Sequence, residues 1–172
     1  MKQRLFAFTF IILFCQHLYS RDSITVYLFL LDECRICQEQ APEINNIYEK
    51  YGQTVGFLGL FPNFSSKKKG IESFKSKYGI KFSTKTDYFK TQVKKFEATV
   101  LPEVIVYNED KEEIIYRGAI NDLFYQPSKR RQVIRQNYLS DALQAAIIGE
   151  EPAIKATQPI GCFINFNDSL NN

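Results

Sequence analysis

The chain switches between two hydrophobic periods. Ile24-Thr-Val-Tyr-Leu-Phe-Leu-Leu31 is a nearly continuous apolar, β-branched and aromatic run of strand length, as expected of a central strand covered on both faces. From about Arg35 to Tyr51 the spacing becomes helical, with Gly52 as a stop signal. Thr54 to Phe61 predicts a second buried strand, ended by Pro62-Asn63. Lys68 to Tyr78 reads as a helix with Ile71, Phe74 and Tyr78 on one side and Gly79 behind it. A short extended piece near Phe82 to Thr86 leads to Asp87, which reads as a helix cap rather than a catalytic acid, and to a helix over about Tyr88 to Phe96. Two strands, Glu103 to Tyr107 and Glu113 to Arg117, flank turn residues and predict a hairpin. Residues 121–135 are polar and basic without a clear period, and a last amphipathic helix covers roughly Tyr138 to Ile148 before Gly149. The order β-α-β-α followed by β-β-α predicts an α/β fold, a central mixed sheet with helices on both faces.

The two ends break this pattern. Lys2 and Arg4, the apolar run Leu5 to Phe14 and the small residue Ser20 have the layout of a secretory signal peptide, cleaved after Ser20. The apolar run is short of the roughly 20 residues that span a bilayer, so an uncleaved membrane anchor is the secondary reading. The expected organisation is a signal peptide over 1–20, one domain over 21–149, and a C-terminal tail over 150–172 that contains Pro152, Pro159, Gly161 and Cys162. A periplasmic or secreted location follows.

Export changes how charge and cysteines are read. Without Lys2 and Arg4 the 22 basic residues become 20 against 19 acidic ones, a net charge near +1, which gives no reason to expect nucleic acid as a partner. The run Lys67-Lys68-Lys69 then reads as a solvated loop or helix start. Cys15 and the single histidine, His17, leave with the signal, so Cys34, Cys37 and Cys162 remain and no imidazole does. That excludes Cys-His and Ser-His nucleophilic sites and histidine-ligated metals, and three thiols fall short of a four-ligand zinc site. Gln38 after Cys37 also excludes covalent haem attachment, and no cofactor or metal is expected.

The chemistry concentrates in Cys34-Arg35-Ile36-Cys37, directly after a buried strand and opening a helix. Unpaired amide N–H groups of a first helical turn stabilise a thiolate, lowering a free pKa of about 8.5. Cys34, expected nearest solvent, would attack a disulfide, and Cys37, one turn on and more buried, would resolve the mixed disulfide. Arg35 adds positive charge beside Cys34, whereas Asp32 and Glu33 act in the opposite direction. Protein thiols or disulfides, and a redox partner, are the expected partners. A bridge between the two cysteines of Cys-x-x-Cys closes too small a loop to serve as a structural staple.

Phe29, Cys34-Arg-Ile-Cys37 and Pro42 resemble the active-site segment of the thioredoxin family. Leu101-Pro102, ahead of Glu103-Val-Ile-Val-Tyr107, matches the family's proline before a late strand. The resemblance implies a cis proline against the dithiol, with Leu101 and Pro102 at the substrate chain and Arg35 and Pro42 in support. Ala41-Pro42-Glu43-Ile44, Thr99-Val-Leu-Pro-Glu103, Tyr116-Arg-Gly-Ala-Ile-Asn-Asp122, Leu139-Ser-Asp-Ala-Leu143 and Thr157-Gln-Pro-Ile-Gly-Cys162, in that order, are similar to bacterial redoxins of the alkyl hydroperoxide reductase and thiol-specific antioxidant superfamily. The thioredoxin-like fold and a thiol–disulfide oxidoreductase activity are what this implies.

Departures narrow that expectation. Leu28 stands where thioredoxins place a buried acid, so proton transfer at Cys37 needs water or another group, and Glu33 stands where they place Trp. A peroxidatic cysteine needs a hydroxyl three residues earlier; Leu31 precedes Cys34 and Cys34 precedes Cys37 at that spacing, which disfavours the alternative of a peroxiredoxin-like thiol peroxidase. A non-catalytic binding module with structural cysteines is the other alternative. Tyr116-Arg117-Gly118 reads as structural, with Gly118 permitting close packing and Arg117 pairing with an acid such as Asp122. Cys162 is either a tail thiol buried or pinned for structure or a third redox thiol pairing with Cys34, since the apolar residues around it give the tail something to bury.

Overall fold

The computed structural model describes residues 23–167; the expected signal segment, with Cys15 and His17, lies outside the described residues. The elements run β1 (Ile24–Phe29), α1 (Arg35–Tyr51), β2 (Gly56–Phe61), α2 (Lys68–Tyr78), β3 (Ser83–Thr86), α3 (Thr91–Phe96), β4 (Val100–Leu101), β5 (Glu103–Asn108), β6 (Glu113–Gly118), β7 (Phe124–Gln126), β8 (Lys129–Arg130), α4 (Tyr138–Ile147) and β9 (Cys162–Phe163). Five strands form one mixed sheet in the order β3-β2-β1-β5-β6. β1 pairs in parallel with β2, and β2 with β3, whereas β5 is antiparallel to both β1 and β6.

The expected α/β architecture, with helices on both faces of the sheet, is present. Every residue of β5 is buried, as its central place demands. Tyr27 and Phe29 share one face of β1, and Phe96 of α3 packs on both with ring centroids 4.7 and 6.4 Å away. α1 and α4 meet where the Tyr51 hydroxyl approaches Ser140.

Several boundaries shift for identifiable reasons. β1 ends at Phe29; Leu30 N–H still donates to Leu60 O at 2.8 Å, and the chain then begins the loop that carries Cys34. α3 starts at Thr91, later than the pattern implies, because Lys90 adopts a left-handed conformation at φ 59°. Its first amides are satisfied by Asp87, whose carboxylate accepts from Thr91, Gln92 and Val93 N–H at 2.9–3.0 Å, the capping role expected of it. The aperiodic segment 121–135 contains the small hairpin β7–β8. Asp122 anchors that hairpin by pairing with Arg131 at 3.1 Å and accepting from Arg135 and Gln136 N–H. Arg117 does pair with an acid, as expected, but the acid is Glu103, 3.5 Å away at the start of the neighbouring β5, rather than Asp122.

The tail is attached at two places. Arg117 N–H donates to Lys155 O, and Thr157 N–H to Arg117 O, both at 3.0 Å, which lays residues 155–157 along β6. β9 then pairs antiparallel with β4, and Ile164 enters the core. The crossing between these two places needs Gly118, whose φ is 133° and whose hypothetical Cβ would stand 2.3 Å from Thr157 O. A side chain there is strained and displaces the tail at once. Gly118→Ala is expected to destabilise the protein by about 2–4 kcal/mol. The urea midpoint of the disulfide-intact protein measures this, and an unchanged midpoint contradicts it.

Candidate active site

The loop between β1 and α1 delivers both cysteines. Leu31 O accepts from Cys34 N–H at 3.1 Å, and Cys34 O from Gln38 N–H at 3.0 Å, so Cys34 caps α1 with extended backbone. Cys37, one turn along, is fully buried, and its Sγ accepts a hydrogen bond from Leu31 N–H at 3.4 Å. Burial pushes the Cys37 thiol up to about 12. The Leu31 hydrogen bond offsets part of this, and the charge of nearby Asp32 adds to it. Asp32 is itself buried, with its carboxylate held by the Ser66 hydroxyl and its carbonyl by the Gln38 side chain.

Across from the cysteines, the Leu101-Pro102 peptide is cis, as the resemblance implied. Leu101 is fully buried, and its carbonyl oxygen lies 3.3 Å from Cys34 Sγ. Glu103 fixes this turn: although only 2% exposed, its carboxylate accepts from Thr99 N–H at 2.7 Å, Thr99 Oγ1–H at 3.1 Å and Val100 N–H at 3.4 Å. The Arg117 guanidinium faces the other Glu103 oxygen and donates to Phe96 O and Glu97 O at 2.9 and 3.1 Å. A buried carboxylate with a cation and three donors thus holds β4 in place.

The third side of the site is the tail. Cys34 and Cys162 form a disulfide with Cα atoms 6.2 Å apart, leaving Cys37 as the free thiol among the described residues. Leu101 is the register partner of Cys162, and Val100 of Phe163. Asn63, just past β2, clamps the strand from its other edge: Nδ2–H donates to Phe163 O at 3.1 Å, and Oδ1 accepts from Asn165 N–H at 2.9 Å. Lys90 Nζ secures the Asn63 loop by donating to Pro62 O at 2.6 Å, and Tyr88 stacks on Phe64 at 4.6 Å.

Cys34, Cys37, Leu101, Pro102 and Cys162 are brought together; Arg35 and Pro42 are not. Arg35 turns outward to Glu39 at 2.6 Å with its side chain 86% exposed, so its charge is satisfied there rather than at Cys34. Pro42 is exposed about two turns along α1. Cys34 is also not the solvent-facing thiol expected, being 2% exposed because the tail covers it. Asn63, Ser66, Lys90 and Glu103 went unassigned in the sequence, where isolated polar residues beside turns carry no spacing signal. Among the described residues no group of three or more His, Cys, Asp or Glu side chains is placed to hold a metal ion.

No family model matches the chain, and no curated protein does. Solved structures do. A hypothetical protein from Sinorhizobium meliloti aligns with TM-score 0.75 at 17% identity, over 87% of this chain and 82% of that one. An uncharacterized conserved protein from Geobacillus kaustophilus aligns with TM-score 0.72 at 20% identity, over 86% and 79%. A secreted Mycobacterium tuberculosis disulfide oxidoreductase, homologous to E. coli DsbE, aligns with TM-score 0.50 at 17% identity, over 73% and 81%. The fold is thioredoxin-like. In this thioredoxin-like frame the chain is similar in structure to disulfide oxidoreductases and to uncharacterized proteins, and Cys34 and Cys37 stand near each other at the start of α1.

A Cys37 pKa of about 12 has a definite sign. The folded protein keeps this proton while the unfolded chain loses it above pH 9, so the contribution to stability is full below pH 9 and declines from there to about pH 12. With the Cys34–Cys162 bridge intact, Cys37 alkylation is expected to rise about tenfold per pH unit from pH 7 to 10 without levelling off. Peptide-resolved labelling kinetics measure this, and a plateau near pH 8 contradicts it.

Proposed function

We propose that this chain is a thiol–disulfide oxidoreductase of an extracytoplasmic compartment, in which Cys34 forms the bond to the partner and Cys162 and Cys37 are the thiols that release it. The observation that carries this reading is the disulfide from the helix-capping Cys34 to Cys162, with a free Cys37 one turn away. The thioredoxin-like fold and the likeness to disulfide oxidoreductases support it, as does the signal-like N-terminal sequence.

The exchange balances as follows. A partner thiolate attacks Cys34 Sγ; a Cys34–partner disulfide forms, and Cys162 leaves as a thiolate and takes a proton from water. A second thiolate of the partner attacks its own bonded sulfur, the partner leaves oxidised, and Cys34 departs as thiolate. Two electrons have passed from the partner dithiol to Cys34 and Cys162. Run backwards, the same steps reduce a partner disulfide. Cys37 offers a second route by attacking Cys34 and expelling whatever is bonded there. Burial keeps the Cys37 thiol protonated at neutral pH, so this route is slow at rest. Leu31, apolar and three residues before Cys34, supplies no peroxide-activating hydroxyl, which speaks against a peroxidase.

One observation favours a second reading, a structural staple. The bridge spans a sequence separation of 128 residues, and closing a loop of that size stabilises a fold by about 5 kcal/mol in the chain-entropy treatment. Reduction potential separates the two. The Cys34–Cys162 pair is expected at roughly −120 to −270 mV, the range of oxidoreductase dithiols, by equilibration against a glutathione or dithiothreitol couple. A value below about −300 mV contradicts the redox role and supports the staple.

A further inference from the structure

The tail is bound as an extended peptide strand would be, and its contacts differ sharply from residue to residue. At Gly161 a Cβ would stand 2.2 Å from Leu101 O and 2.5 Å from Leu101 C, closer than any side chain tolerates against backbone. At Cys162 the sulfur is joined to Cys34 while the backbone pairs with Leu101. Phe163 pairs with Val100 in the ladder and its carbonyl accepts from Asn63, while the residue itself is 83% exposed. Ile164 is 6% exposed and belongs to the core, and the following N–H, of Asn165, returns to Asn63 Oδ1. The strand is thus read by backbone pairing on one edge, by a two-point amide clamp on the other, and by two side-chain filters flanking the cysteine.

We propose that residues 161–165 are an internal pseudosubstrate, and that the edge of β4 takes partner peptides of the same pattern: glycine immediately before the reacting cysteine, any residue after it, and an aliphatic residue next. This rests on the redox reading above and deepens it by naming the class of peptide that Cys34 engages. Main-chain pairing supplies affinity without sequence preference, so discrimination falls on the positions where the site makes side-chain demands. At the glycine position the demand is steric, set by the Leu101 backbone in the short strand whose neighbours Thr99 and Val100 are held by Glu103. At the aliphatic position it is apolar burial, and a carboxylate there is desolvated without a partner. A partner displaces the tail by the balanced exchange already described, its cysteine taking the place of Cys162 on Cys34.

The test uses the full chain carrying Cys37→Ser and Cys162→Ser, so that Cys34 alone reacts at the site, and a synthetic peptide copying residues 158–167. The peptide cysteine is activated as its mixed disulfide with thionitrobenzoate. Cys34 thiolate attacks the peptide sulfur, thionitrobenzoate leaves and is read by absorbance, and mass spectrometry locates the adduct on Cys34. The protein's own tail competes equally against every peptide, so ratios of rates are unaffected by it. Peptides carrying Gly161→Ala or Ile164→Asp are expected to react at least about tenfold more slowly than the copy, and one carrying Phe163→Ser within about twofold of it. Equal rates for all four peptides, with brisk reaction toward a small aromatic disulfide, overturn the pseudosubstrate proposal and leave the redox reading standing. Failure of Cys34 to react even with the small disulfide overturns the redox reading, and this proposal with it.

Discussion

The site depends on a close backbone approach between two strands of two residues each. β9 must lie flat along β4 for Cys162 to reach Cys34, and that contact admits no side chain at position 161. Almost everything else nearby serves this alignment. Glu103 and Arg117 hold β4 from below, Asn63 holds β9 from its far edge, and Ile164 anchors the chain beyond it in the core. Upstream, Thr157 and Gly118 set the direction in which the tail leaves β6. The disulfide locks an arrangement that noncovalent contacts already specify, which places the sulfurs for exchange without a search through loop conformations.

The thiols are unequal because their surroundings are. Cys34 caps α1 and is bonded to the tail, whereas Cys37, one turn on, is fully buried and its thiol is pushed up to about 12. Asp32 lies close enough to raise that value and is buried against Ser66, at a place in the loop unlike the Leu28 position where related folds carry their acid. The site therefore favours a resting bridge to the tail over one within Cys-x-x-Cys.

Much of this was legible in the chain. The buried runs at Ile24–Leu31 and Glu103–Tyr107, the helix opening at Arg35 and the proline before β5 gave the sheet and the position of the dithiol, because burial on both faces leaves continuous apolar stretches. The order Gly161-Cys162 between prolines and apolar residues marked the tail as something that docks, and left open where. Long-range polar contacts carried no such trace. Arg117 finds Glu103 and carbonyls at the end of α3, rather than Asp122, because β6 runs antiparallel beside β5 and brings Arg117 opposite Ile105. Arg35 was assigned to Cys34 by sequence adjacency, but helical geometry places Glu39 four residues on at the same face. The burial of Cys34 depends on a segment more than a hundred residues away, which no local pattern encodes.

Disulfide connectivity is the most direct test of the central claim. Protein oxidised in air, trapped in acid, digested without reduction and mapped by mass spectrometry reports which cysteines are joined. A peptide containing Cys34 linked to one containing Cys162, with Cys37 recovered as a free thiol, is the expected result. A bridge within Cys34-Arg35-Ile36-Cys37 with Cys162 free contradicts it, because the tail then has no part in the resting state of the site.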